Sequence, residues 1–161
     1  MKRAIYPLAV ALALAGCVSV SKTEVAPADP AREARIAFDI TSGNPQVVNL
    51  TLAVIDVTRK QLIEQGITPR IVVAFRGDAS YFTQDTLAVV KEEQRADALQ
   101  VKAKIRELKM ASGVEGFEQC NVPLASRKLK GTDLMQEVKL VPNGWISLAN
   151  YQQKGYAYIV P

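Results

Sequence analysis

Histidine is absent from the 161 residues, and cysteine occurs only twice, as Cys17 and Cys120. Without histidine there is no imidazole general base, no Ser-His-Asp or Cys-His nucleophile, and no zinc site of cysteine and histidine. Aromatic residues make up 6% of the chain, and no apolar run approaches the roughly 18 residues that a membrane-spanning helix requires. No glycine-rich phosphate loop occurs, so nucleotide binding has no positive signal and no cofactor or metal is expected. What remains is 48% hydrophobic and 22% charged, too apolar and too weakly charged for a disordered chain, and long enough for one ordinary core.

The first residues read as an address. Lys2 and Arg3 precede an apolar stretch from Ala4 to Ala15, which ends in Gly16 and Cys17. A short positive region before a brief apolar one is the pattern of a secretory signal. Leu14-Ala15-Gly16-Cys17 resembles the lipobox of bacterial lipoproteins, which are cut before a cysteine that then carries lipid. Val18, rather than aspartate, follows that cysteine, which points to the outer membrane, facing the periplasm. On this reading residues 1–16 are a signal peptide, residues 17–34 a lipidated cysteine with a Ser/Pro/Ala-rich tether, and residues 35–161 the folded domain. Removing 1–16 leaves 18 basic against 16 acidic residues, a balance too close to neutral to support nucleic-acid binding. It also leaves Cys120 as the only thiol not consumed by lipid, so no intramolecular disulfide is expected.

Strand and helix signals alternate through the domain. Ile36–Ile40 reads as a strand; Asn44 then caps, and Pro45 opens, a helix with apolar Val48, Leu52, Ile55 and Leu62, ending at Gly66. Ile71–Phe75 is almost wholly apolar, as in a strand covered on both faces. A mostly helical region follows Arg76–Ala79 and runs to about Ser112, with Leu99, Ile105 and Leu108 as its buried stripe. Val114–Gln119 is a third strand with Cys120 at its end, and Pro123 opens a short basic helix containing Arg127, Lys128 and Lys130. Val138–Val141, a helix from Trp145 to about Gln153, and Tyr156–Val160 complete the pattern. Five strands joined by helical crossovers predict an α/β fold with a parallel sheet and helices on both faces.

Ligands of open α/β sheets bind at the carboxyl ends of the strands. That rule gathers the Thr41–Asn44, Arg76–Ala79, Cys120–Pro123 and Val141–Gly144 loops, and with them Asn44, Asp78 and Asn143 as candidate pocket residues. Cys120 falls in this crevice just before a helix N-terminus, whose dipole favours a thiolate. Arg76, Asn121, Arg127 and Lys128 are candidates to stabilise it. A lone cysteine is equally at home as inert packing, and a basic run is by default a solvated helix face.

Three stretches resemble the DsrE/DsrF-like sulfur-relay family over about Arg35 to Pro161. They are Gly113 to Cys120 with Asn121 and Arg127-Lys128, Val141-Pro142-Asn143-Gly144 with Gln153 to Pro161, and Ile71 to Gly77. The resemblance implies a three-layer α/β/α fold with a five-stranded parallel sheet in the order 4-3-2-1-5, and assembly as homotrimers or homohexamers. It also implies that Cys120 carries sulfur as a persulfide, taken from an unidentified donor and passed to an unidentified acceptor. Arg76 stands where many relatives have histidine, and export departs from the cytoplasmic setting of the relay members. A lipid-anchored sulfur carrier is thus one expectation, and a non-catalytic binding or scaffolding lipoprotein with an inert cysteine is the other. Labelled palmitate supplied to expressing cells is expected to enter the chain and to be lost completely in Cys17→Ser; equal labelling of both removes the anchor.

Overall fold

The computed structural model describes residues 32–161. The expected signal peptide, Cys17 and most of the expected tether therefore lie outside the described residues. The first strand, β1 (Glu33–Ile40), begins three residues before the apolar Ile36–Ile40 run that marks it in sequence. Its extra residues pair in register with Thr68, Pro69 and Arg70, so backbone pairing carries the strand past its hydrophobic part. Helix α1 (Pro45–Glu64) starts as expected, with Pro45 in the first turn and the Asn44 side chain accepting the Gln46 N–H at 2.9 Å. Strand β2 (Thr68–Phe75) follows.

The next segment departs most from the sequence pattern. A 3-10 turn (Gly77–Thr83) leads into irregular chain and a second short 3-10 turn (Glu92–Gln94) before α2 (Arg95–Lys109) begins. Backbone groups in the irregular stretch are satisfied from elsewhere. Met135 and Asp85 N–H groups donate to Thr83 and Asp133 carbonyls, and the Lys102 ammonium donates to the carbonyl of Gln84 at 2.8 Å. Lys102 thereby occupies a core-facing place on α2 beside Ala98, Val101, Ile105 and Leu108. That choice of face turns Leu99 outward, where it is 53% exposed, contrary to the expectation that it lines the core.

Strands β3 (Val114–Cys120) and β4 (Val138–Val141) flank a short helix, α3 (Val122–Ser126); α4 (Gly144–Gln153) and β5 (Ala157–Ile159) close the fold. All pairings are parallel, and the sheet order is β4-β3-β2-β1-β5. Right-handed crossovers that step β1 to β2 to β3 put α1 and α2 on one face, whereas the return from β4 to β5 carries α4 over the other. The two faces are unequal. On the α1/α2 side Phe38, Ile71, Val73, Phe75 and Phe117 meet Leu52, Ile55, Val101 and Ile105 in the main core. Beneath α4 the sheet offers Ala37, Val72 and Ala74, small enough for one helix to lie close through Leu148.

Gly113, between α2 and β3, has φ +84°, and a side chain there would lie 2.4 Å from Pro69 Cγ and 2.9 Å from Pro69 O. Backbone conformation and space both demand glycine. Gly113→Ala is expected to cost about 2 kcal/mol or more, read as a lowered midpoint in urea denaturation; an unchanged midpoint refutes this account of the turn.

Candidate functional site

Cys120 ends β3 with its side chain on the α4 face, 4% exposed and free. Its Sγ accepts the Gly144 N–H at 3.1 Å. Gly144 is the first residue of α4, and Asn143 caps that helix by accepting the Trp145 N–H at 2.9 Å. The amide facing the sulfur thus belongs to the ten-residue α4 and not, as the chain order suggests, to the helix after Cys120. That helix is only Val122–Ser126. Lys128 adopts φ 56°, and the Leu129 N–H returns to the Leu124 carbonyl, closing the helix before its basic residues. Arg127, Lys128 and Lys130 therefore follow the helix instead of riding on it.

Gly144 has no room for a side chain. A Cβ there would lie 2.7 Å from Arg76 Cδ and 3.0 Å from Cys120 Cβ. The start of α4 is therefore wedged between the arginine and the cysteine. Arg76 in turn stacks over the Trp145 ring at 5.3 Å and grips Asp39 through two hydrogen bonds, that from Nε to Oδ1 being 2.8 Å. The Asp39 side chain is fully buried and also accepts the Tyr158 hydroxyl at 2.6 Å. Hydrogen bonding to Asp39 raises Arg76 above its ordinary value, while partial burial opposes the shift. The arginine is a fixed cation, but its charge is matched by a buried carboxylate.

Arg127 is matched as well, by Asp78 at 2.7 Å. Together Arg76, Cys120, Val122, Arg127, Asn143 and Trp145 line a crevice of about 290 Å³. Of the residues singled out in sequence, Cys120, Arg76, Arg127 and Asn143 meet here, and Asp78 joins through Arg127. Asn44 does not; it is spent on capping α1. Asn121 is exposed, and its backbone N–H donates to Val141. Lys128 is exposed and away from the crevice lining. A larger groove, about 500 Å³, follows α4 past Glu118, Lys139 and Tyr151 without Cys120 in its lining.

Sequence reasoning missed Asp39, Tyr158 and the Gly144 amide. A lone aspartate in the apolar Ile36–Ile40 strand was the available signal for the first. It also missed the anchor under Cys120: Gln119 donates to the Cys120 carbonyl at 2.7 Å and to Ser80 Oγ at 2.8 Å, and accepts from Thr83 Oγ1. Among the described residues no group of three or more Cys, Asp or Glu is placed to hold a metal ion.

Three tyrosine hydroxyls donate to carboxylates on this side of the sheet: Tyr151 to Glu118, Tyr156 to Glu115 and Tyr158 to Asp39. Burial first and Glu118 second raise Tyr151; burial and then Glu115 raise Tyr156; the bond to Asp39 leads for Tyr158. A tyrosine raised in the fold stabilises it fully below the ordinary value of 10.0 and ceases to as pH climbs through the raised value. Alkaline titration is expected to show tyrosinate absorbance lagging behind free tyrosine while the denaturation midpoint falls above about pH 10. Titration at the ordinary value with constant stability refutes it.

Comparison with known proteins gives three findings. The model of the DsrE/DsrF-like family matches residues 33–161. An uncharacterized protein of Aquifex aeolicus (strain VF5) is 26% identical over 125 residues, which are 78% of this chain and 55% of that protein. The chain thus spans about half the length of that curated relative. The solved structure of MTH1491, a protein of unknown function from Methanobacterium thermoautotrophicum, aligns with a TM-score of 0.61 and 23% identity, covering 80% of this chain and 99% of that one. That likeness speaks to the fold, and its α/β architecture agrees with the five-stranded order seen here.

Proposed function

The chain belongs to the DsrE/DsrF-like family, and from that premise we propose that Cys120 carries sulfur as a persulfide and hands it to a partner. One observation supports this most: the strand-end sulfur receives a helix N-terminal amide at 3.1 Å and borders a crevice open to solvent. An amide dipole aimed at sulfur favours its anionic forms, both thiolate and persulfide.

The exchange needs no imidazole. The Cys120 thiolate attacks the terminal sulfur of a donor persulfide, forming the new S–S bond while the donor's S–S bond breaks and the donor leaves as thiolate. Attack by an acceptor thiolate on the terminal sulfur of the Cys120 persulfide reverses the roles and restores Cys120. Electrons balance at each step, since one disulfide-type bond replaces another. Arg76 holds the start of α4 against the sulfur, and Arg127 edges the mouth; both are paired with carboxylates, so they supply hydrogen bonding more than net charge. On the same reading Cys17 anchors the domain by lipid to the outer membrane, facing the periplasm, with support from the sequence alone. Among the described residues no helix is long and apolar enough to cross a membrane.

The 4% exposure of Cys120 favours a second reading, a binding or scaffolding lipoprotein with an inert thiol. Intact mass after polysulfide treatment of the folded chain carrying Cys17→Ser separates the two. A sulfur carrier gains the mass of one or more sulfur atoms in a form that dithiothreitol removes, and Cys120→Ser gains none. A thiol that neither takes up sulfur nor alkylates until denaturant is added leaves only the scaffold.

A further inference from the structure

Three acidic side chains are buried among the described residues, and one of them lacks a cation. Asp39 is paired with Arg76 and Asp56 with Arg59, whereas Glu118, 6% exposed, receives only the hydroxyls of Ser147 and Tyr151. Neutral donors satisfy its hydrogen bonding but leave the charge of a buried carboxylate unmatched. Glu118 lines the groove of about 500 Å³ along α4. Lys139 and Lys154 line it too, and both are exposed. No ion pair among the described residues includes either lysine or Glu118. A buried negative charge thus borders a groove edged by two positive ones, and none of the three is matched inside the fold.

The groove adjoins the sulfur. Glu118 and Cys120 lie two residues apart on β3, and both side chains meet α4, the first at Ser147 and the second at Gly144. Two residues along a strand span about 7 Å. Lys139 and Val141 repeat that spacing on β4, in register with Glu118 and Cys120. Asn143 lines both the groove and the Cys120 crevice, so the two cavities meet at the cap of α4. A molecule seated in the groove reaches the crevice by an arm across Asn143.

We propose that the groove binds the amino-acid end of a small peptide thiol, and that the persulfide of such a thiol is the donor that loads Cys120. The proposal rests on the persulfide reading of Cys120 and narrows its donor to one chemical class. An α-amino-acid group carries an ammonium beside a carboxylate. The ammonium matches Glu118, the carboxylate matches Lys139, and Lys154 is left for a second carboxylate. Glu118 repels a plain anion and the lysines repel a plain amine, so the zwitterion is favoured over either part alone. The groove has the volume of a small-molecule site, and a tripeptide, at about 3.5 Å per residue, spans the distance from Glu118 to the crevice. In the transfer the Cys120 thiolate attacks the outer sulfur of the bound persulfide. The new S–S bond forms as the donor's S–S bond breaks, and the peptide leaves as its thiolate.

The full chain carrying Cys17→Ser tests this. S-Methylglutathione, which keeps the ammonium and both carboxylates but has no reactive sulfur, is titrated by calorimetry. It is expected to bind, and the double variant Lys139→Gln with Lys154→Gln, changed only at exposed positions, is expected to bind about fivefold more weakly or worse. Acetylating the ligand's amine removes the ammonium and probes Glu118 without disturbing the fold, and a similar loss is expected. Absent binding, or binding indifferent to the lysines or to acetylation, overturns the proposal. Loading is read by intact mass. Glutathione persulfide is expected to load Cys120 about fivefold faster or more than 2-mercaptoethanol persulfide at equal concentration, and only the former is expected to slow in the double variant. Equal rates from the two donors overturn this inference and leave the carrier reading standing. No loading from either donor removes both.

Discussion

The close approach of the start of α4 to the end of β3 organises this molecule. Gly144 fits between Arg76 and Cys120 because it lacks a side chain, and only that fit brings its N–H to the sulfur. The approach is fixed from several sides. Asn143 caps the helix, Asp39 and Trp145 hold the arginine, and Gln119 ties the strand end to Ser80 and Thr83. Each of these contacts helps to hold a single amide against the sulfur.

Charge around the sulfur is arranged in matched pairs. Asp39 neutralises Arg76 beneath the crevice and Asp78 neutralises Arg127 at its mouth. The Asp78 pair is surface-exposed and contributes little to stability, whereas the Asp39 pair is buried and would leave an uncompensated charge if split. A crevice built this way orients by hydrogen bonds and by the indole of Trp145, without a strong long-range field to concentrate anions.

The two faces of the sheet divide the work. The α1/α2 face holds the aromatic and branched core that stabilises the domain. The α4 face trades bulk for alanine, buried carboxylates and tyrosine hydroxyls, and Cys120 lies on it. The outer side of α1 belongs to neither, and its aliphatic residues Val47, Leu50, Val54 and Val57 stay exposed.

Local pattern was enough for the element order, the Asn44-Pro45 helix start, the position of Cys120 at a strand end, and, through family resemblance, the 4-3-2-1-5 sheet. Apart from that strand order, those features depend on neighbours in sequence: caps, apolar periods and strand length act over a few residues. The partner of the sulfur was not legible, because Gly144 is 24 residues from Cys120 and meets it only after the chain has crossed the sheet. The same holds for Asp39, which finds Arg76 37 residues away and Tyr158 119 residues away. Lys128 ended a helix that its sequence would have continued, because a left-handed residue let Leu129 turn back into the core. Sequence set which groups were present and where the backbone would bend; only packing across the sheet decided which amide meets the sulfur and which charges cancel.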